Sequence, residues 1–211
     1  MAIKVESDSF EHGDRVPEDH AFGVPDDSGR ATADGGNRSP HLRWSGHPEG
    51  TQSFVLVCVD PDVPGDGSDV NQEGRTVPEN LPRVDFVHWV VADIPPHVTE
   101  LPEGAGSEKT VVGGKPTGDT SFGGVTGRNS YTGLFAGDPD MGGTYGNYDG
   151  PFPPWNDERL HNYHFRVYAL DVPSLDLSGD FEHDDVVEAI EGHVLDHGEL
   201  VVTYTLNRDL L

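Results

Sequence analysis

The chain has 211 residues, a formal net charge of −25 and one cysteine. That length suits one domain, 1–211, with a core large enough to fold without disulfide staples, and the lone Cys58 excludes a disulfide framework and any cysteine-based zinc site. With 38 acidic residues against 13 basic ones, the surface repels nucleic acid and anionic membranes, so neither is an expected partner.

No run approaches the roughly 18 apolar residues of a membrane-spanning helix. The start, Met1-Ala2-Ile3-Lys4-Val5-Glu6, lacks the basic-then-apolar pattern of a signal peptide, so a cytoplasmic location is expected. Only Lys4, Lys109 and Lys115 are lysines. An acidic, lysine-poor surface fits a folded domain in a salt-rich cytoplasm, where the Debye length at molar salt is about 3 Å and self-repulsion is screened.

In chain order, Ser53–Val59 (SFVLVCV) is a continuous apolar run with β-branched residues, which predicts a strand buried on both faces. Asp60 follows directly. Asp60-Pro61-Asp62-Val63-Pro64-Gly65 reads equally as a turn, or as a partly buried aspartate that needs a partner, for which a strand-borne histidine is the candidate. Residues 65–85 form a long polar loop. Phe86–Ile94 (FVHWVVADI) is a second strand; alternation puts His88 on one face with Phe86, Val90 and Ala92, where a satisfied core histidine is the simplest reading.

Residues 104–154 are Gly-rich, but Tyr131, Phe135, Tyr145, Tyr148, Phe152 and Trp155 predict a packed loop and not a linker. Gly150-Pro151-Phe152-Pro153-Pro154 is either a stiff turn or a positional device, and its X-Pro bonds could be cis. The third strand spans His161–Asp171. Its core face carries His161, Tyr163, Phe165, Val167 and Ala169, so His161 and Tyr163 stand where a pocket could open or are simply hydrogen-bonded at the rim. A helix is predicted over 184–196, with Asp185 and Glu188 spaced as a capping box, Val186, Ile190 and Val194 on one side, and a stop at Gly198. Leu200–Leu206 is a fourth strand. The expected architecture is mainly β: an antiparallel sandwich with one late helix and long Gly/Pro-rich loops.

Four segments occur in one order: Val59-Asp60-Pro61-Asp62-Val63-Pro64, Val87-His88-Trp89-Val90-Val91, Gly150-Pro151-Phe152-Pro153-Pro154 and His161-Asn162-Tyr163. Supporting segments are Ser39–Ser45, Leu101–Ala105, Gly127-Arg128-Asn129 and Ala189–Val194. Together they resemble the phosphatidylethanolamine-binding proteins, closest to the bacterial and archaeal Raf kinase inhibitor-like branch, over about residues 37–206. The resemblance implies a sandwich with a small anion pocket lined by Asp60, Pro64, His88, Gly150, Pro151, Pro153, Pro154, His161 and Tyr163. It also implies a ligand carrying phosphate or carboxylate, no cofactor and no metal.

Three departures stand out. Asn162 replaces a usual Arg, on the face turned away from the pocket. Phe152 replaces a small residue or Cys and narrows the mouth. The 65–85 loop is longer than usual; its ends lie near the pocket, which makes it the candidate surface for an unidentified protein partner. The expected role is binding and regulatory, as a monomer or homodimer. The rival readings are a phosphoester or acyl hydrolase using Asp60 with His88 or His161, and a metal site built from Asp60, Asp62, His88 and His161. No Gly-x-Ser-x-Gly nucleophile motif is present.

Overall fold

The computed structural model describes residues 3–177 and 180–211. In chain order the strands are β1 (Lys4–Glu6), β2 (Val24–Pro25), β3 (Ala31–Thr32), β4 (Leu42–Ser45), β5 (Ser53–Pro64), β6 (Arg83–Ile94), β7 (Glu100–Leu101), β8 (Gly118–Asp119), β9 (Val125–Thr126), β10 (His161–Leu170) and β11 (Val194–Tyr204). The helices are a single turn, α1 (Tyr131–Leu134), and α2 (His183–Ala189). All strand pairings are antiparallel. The large sheet runs β11-β10-β5-β6-β9-β8, the small one β1-β4-β7, and β2 pairs with β3. No helix among the described residues is long and apolar enough to cross a membrane.

The unbroken apolar run of β5 has a structural cause. Phe54, Leu56 and Cys58 enter the core between the sheets with Trp44, Trp89 and Phe165. Val55, Val57 and Val59 pack on the opposite face with Val87, Val90 and Ala92, beneath Val186 of α2, Ile190 just past its end, and Phe181. One strand is therefore dry on both faces, as expected. The 104–154 segment is packed as its aromatics imply, with Tyr131, Tyr145 and Tyr148 fully buried.

The chain departs from the sequence expectation in three places. β5 does not turn at Asp60 but continues through Pro64. The late helix is shorter than 184–196: it closes at Ala189, Gly192 follows with φ +82°, and residues from Val194 onward pair with β10. Val194 has helical spacing to Ile190, but the open edge of β10 offers its backbone a ladder that a frayed helix end lacks. The cap also shifts: Asp185 accepts from the Glu182 N–H at 2.8 Å, so the box opens at Glu182.

Gly198 is consequently not a helix stop. It lies inside β11 opposite Val167, where a Cβ would fall 2.0 Å from the Ile3 carbonyl oxygen. Its missing side chain lets the N-terminal segment cross the sheet, bringing Ile3 and Val5 into the core with Leu200 and Val202. Gly198→Ala is expected to destabilise the fold by about 1–3 kcal/mol, because backbone must move. Urea unfolding in molar potassium chloride measures this, and an unchanged midpoint would contradict it.

Candidate ligand-binding site

Strict alternation would leave His88 on the helix-covered face with Val90 and Ala92. Cys58 pairs with Trp89 but Val59 pairs with Val87, so His88 is an extra residue, a β-bulge. Val87 therefore joins Val90 on the helix side, and His88 turns toward the end of the inter-sheet core, its ring centroid 5.1 Å from that of Tyr163. A second bulge lies just beyond Asp60, where Asp60 pairs with Phe86 and Val63 with Val84. The two bulges bracket the site and aim Asp60 and His88 into one cavity.

That cavity has a volume of about 500 Å³. Its polar end holds Asp60, His88 and Tyr163; Pro64, Pro153 and Pro154 form part of its wall, and Gly67, Val70 and Asn71 of the long loop border it. Six of the nine residues expected from the family resemblance thus line one space. The other three stand behind it. The Gly150 N–H donates to Asn37 Oδ1 and its carbonyl accepts from Tyr131 Oη at 2.6 Å. The Pro151 carbonyl accepts from the N–H groups of Phe22 and Gly23. His161 is fully buried, with Asp60 between it and the cavity. No peptide bond among the described residues is cis.

His161 belongs to a buried row of alternating charges. Its Nδ1 donates to Asp60 Oδ2 at 2.7 Å and its Nε2 to Asp157 Oδ2 at 3.1 Å. Asp157 in turn accepts two bonds from Arg83, at 2.5 and 3.0 Å. Carboxylates at both ring nitrogens require a proton on each. Burial opposes the charge, but the bonds from Asp157 and Asp60 overcome it and raise the His161 pKa to about 9. Asp157 is held below the usual carboxylate range: burial pushes it up, and the bonds from His161 and Arg83 more than offset that.

His88 is the opposite case. Its Nδ1 lies 2.7 Å from the Asp149 carbonyl oxygen, which can only accept, so Nδ1 carries the proton. Burial lowers its pKa further than Asp60 and Asp149 raise it, so the ring is neutral. Its Nε2, buried and without a partner, is a bare acceptor. The Tyr163 hydroxyl is also buried and makes no well-formed hydrogen bond; burial, the charge of Asp60 and a loose approach to the Asp60 carboxylate keep its proton in place. The carbonyl that sets the His88 tautomer is anchored by the Asp149 side chain, which accepts from Lys115 Nζ at 2.5 Å, Asn37 Nδ2 at 2.8 Å and Asn129 Nδ2 at 2.9 Å.

The set named in the rival metal reading is not assembled. Asp62 accepts from Asn162 at 2.9 Å and pairs with Arg159, both ring nitrogens of His161 are engaged, and among the described residues no cluster of three His, Cys, Asp or Glu side chains could hold an ion. Asn162 stays off the cavity, as alternation implies. Cys58 is no nucleophile candidate: burial, then the charge of Asp60, raises its thiol pKa well above normal. Sequence reading missed Arg83, Asp149 and Asp157. Arg83 and Asp149 act through partners distant in sequence, and the only local signs are a cation in a cation-poor chain and an acid, Asp157, four residues before His161.

Comparison with known proteins gives a consistent picture. The phosphatidylethanolamine-binding protein family model matches residues 6–205. A UPF0098 protein of Methanothermobacter thermautotrophicus is 36% identical over 189 residues, covering 88% of this chain and 95% of its own length. The Escherichia coli UPF0098 protein YbhB is 32% identical over 176 residues, covering 83% of this chain and 82% of its own. The crystal structure of E. coli YbcL, described as a new member of the mammalian PEBP family, superposes with a TM-score of 0.68 at 26% identity, covering 97% of this chain and 99% of its own.

The raised His161 pKa fixes a pH signature. Its contribution to stability is complete below the unfolded-state value of 6.5 and is lost as pH rises through about 9. The excess stability of the wild type over His161→Gln should shrink by at most about 3 kcal/mol across that window, and a difference independent of pH would refute the assignment. Arg83→Leu strands a buried carboxylate and should cost about 3 kcal/mol or more near neutral pH, read by urea unfolding.

Proposed function

The chain belongs to the phosphatidylethanolamine-binding protein family, and from that premise we propose that its cavity binds a small phosphate- or carboxylate-bearing ligand, in a regulatory role. The observation that supports this most is the pair of buried, unpartnered polar atoms at the cavity's end: His88 Nε2, an acceptor, and the Tyr163 hydroxyl, a donor. An acid group that retains one proton complements both. Its O–H donates to His88 Nε2, and its second oxygen accepts from Tyr163.

The charge row agrees with that stoichiometry. Asp60 faces the ligand as an anion, and no Lys or Arg is among the lining residues. A phosphomonoester dianion or a carboxylate carries no proton and would meet a lone pair and a carboxylate, so its binding takes up a proton, either on the ligand or on His88. His161 acts from behind, holding Asp60 in place without touching the ligand. The 65–85 loop, whose Gly67, Val70 and Asn71 border the cavity, is the surface through which a protein partner would read occupancy. The charge of −25 supports the reading that this work is done in a salt-rich cytoplasm.

Titration calorimetry with methyl phosphate, whose dianion carries no proton, tests the reading. Near pH 8, binding should take up about one proton, and affinity should rise toward tenfold per unit as pH falls. Tyr163→Phe should weaken binding by about 1.5–3 kcal/mol. Because the ligand approaches a strongly anionic molecule, affinity should increase from low to molar potassium chloride, opposite to basic phosphate binders. Binding indifferent to pH, or weakening steadily with salt while the protein stays folded, would sink the proposal.

A further inference from the structure

The acid-binding end occupies only part of the cavity. A volume of about 500 Å³ falls in the range of sites that enclose a whole organic molecule, far more than one phosphate fills. The remaining wall is apolar: Phe86, Tyr131, Leu134, Phe135 and Phe152, with Val63 and Val70 opposite. Phe86, Phe135 and Phe152 are only partly buried, and Leu134 is 56% exposed. Large apolar side chains in such positions leave surface in water that a ligand can cover. The chain is otherwise hydrophilic, with a mean hydropathy of −0.53.

The wall is also built rather than incidental. Phe152 is stacked on Phe22 at 5.6 Å, and Gly23 makes room for it: a Cβ there would fall 1.9 Å from the Phe152 ring. Phe135 is stacked on Tyr131 at 5.7 Å, and Tyr131 is fixed by its bond to the Gly150 carbonyl. Both rings are thus fixed from behind while lining the cavity. The only ionisable lining residue besides Asp60, His88 and the tyrosines is Asp138, which disfavours a second negative charge on the ligand.

We infer that the occupant is an organic acid with one acidic group and an uncharged apolar body, such as an aryl phosphomonoester or arylalkyl carboxylic acid, whose body lies along Phe86, Phe135 and Phe152. This rests on the acid-end reading above. Binding to the wild type and to Leu134→Ser and Phe135→Ala variants would be measured by calorimetry near pH 6 in molar potassium chloride. The probes are phenyl phosphate, inorganic phosphate, phosphoglycolate and benzyl alcohol. Phenyl phosphate should bind about tenfold or more tighter than inorganic phosphate, and phosphoglycolate no tighter than inorganic phosphate.

Either variant should reduce the phenyl advantage at least about threefold while leaving inorganic phosphate binding unchanged; Leu134 is exposed, so its variant tests the wall even if Phe135→Ala fails to fold. Equal affinity for phenyl phosphate and inorganic phosphate would overturn the inference and leave the acid end standing. Binding of benzyl alcohol, lost in Leu134→Ser, with none of either phosphate, would retain the apolar wall but overturn the single-acid ligand class and the acid-end reading together. No binding of any probe would overturn both readings.

Discussion

The site depends on a row of four buried charges: Arg83, Asp157, His161 and Asp60, each in contact with one of opposite sign. Taking a charge out of water costs several kcal/mol, and only well-made pairs offset it. The row meets that requirement because every carboxylate has a cationic neighbour and the positive ring is held between two acids. It also joins pieces far apart in sequence: the start of β6, the segment before β10, the first residue of β10 and the interior of β5. The row sums to zero formal charge, so the cavity it floors is polar without being cationic. His161, expected among the pocket-lining residues, stands behind Asp60 instead. His161 fixes Asp60, and the atoms left to face the cavity, which carry the proposed ligand contacts, are His88 Nε2 and the Tyr163 hydroxyl.

The large negative charge and the interior obey different rules. Outside, carboxylates outnumber cations and are tolerated where salt screens them. Inside, screening is absent and pairing is strict. Two of the few cations, Arg83 and Lys115, are used there, on Asp157 and Asp149. Lys115 acts at one remove: it holds Asp149, whose backbone carbonyl keeps the proton on His88 Nδ1 and so leaves Nε2 bare. The acid surface and the proposed acid-binding cavity are therefore compatible, since the proposed recognition is by hydrogen-bond complementarity and not by a positive field.

Much of the scaffold was legible because it rests on local pattern. The apolar run of β5 declared a strand buried on both faces, and alternation in β10 put Tyr163, Phe165, Val167 and Ala169 on one buried face. The failures share a cause. Alternation puts His88 on the helix-covered face, but a bulge shifts the two-residue period, and nothing in FVHWVVADI marks where the extra residue falls. The helical spacing predicts too long a late helix because Val194 fits both a helical stripe and an edge strand, and only the free edge of β10 selects between them. Gly198 read as a helix stop because a glycine's signal is the same whether it ends a helix or admits a crossing backbone.

By itself the sequence determined the class of fold, the strands that carry the site and the family motifs that mark Asp60, His88 and Tyr163, since these follow from hydrophobic periodicity and from residue identities in order. Tertiary structure alone decided the protonation and direction of those groups. That His161 is doubly bonded and cationic, that His88 is neutral with a bare nitrogen, and that phenylalanines from β6, from the end of α1 and from the proline-rich segment close around one space are consequences of contacts between residues up to about a hundred positions apart. Charge state and donor direction depend on the nearest atoms in space, and a linear chain does not state which atoms those will be.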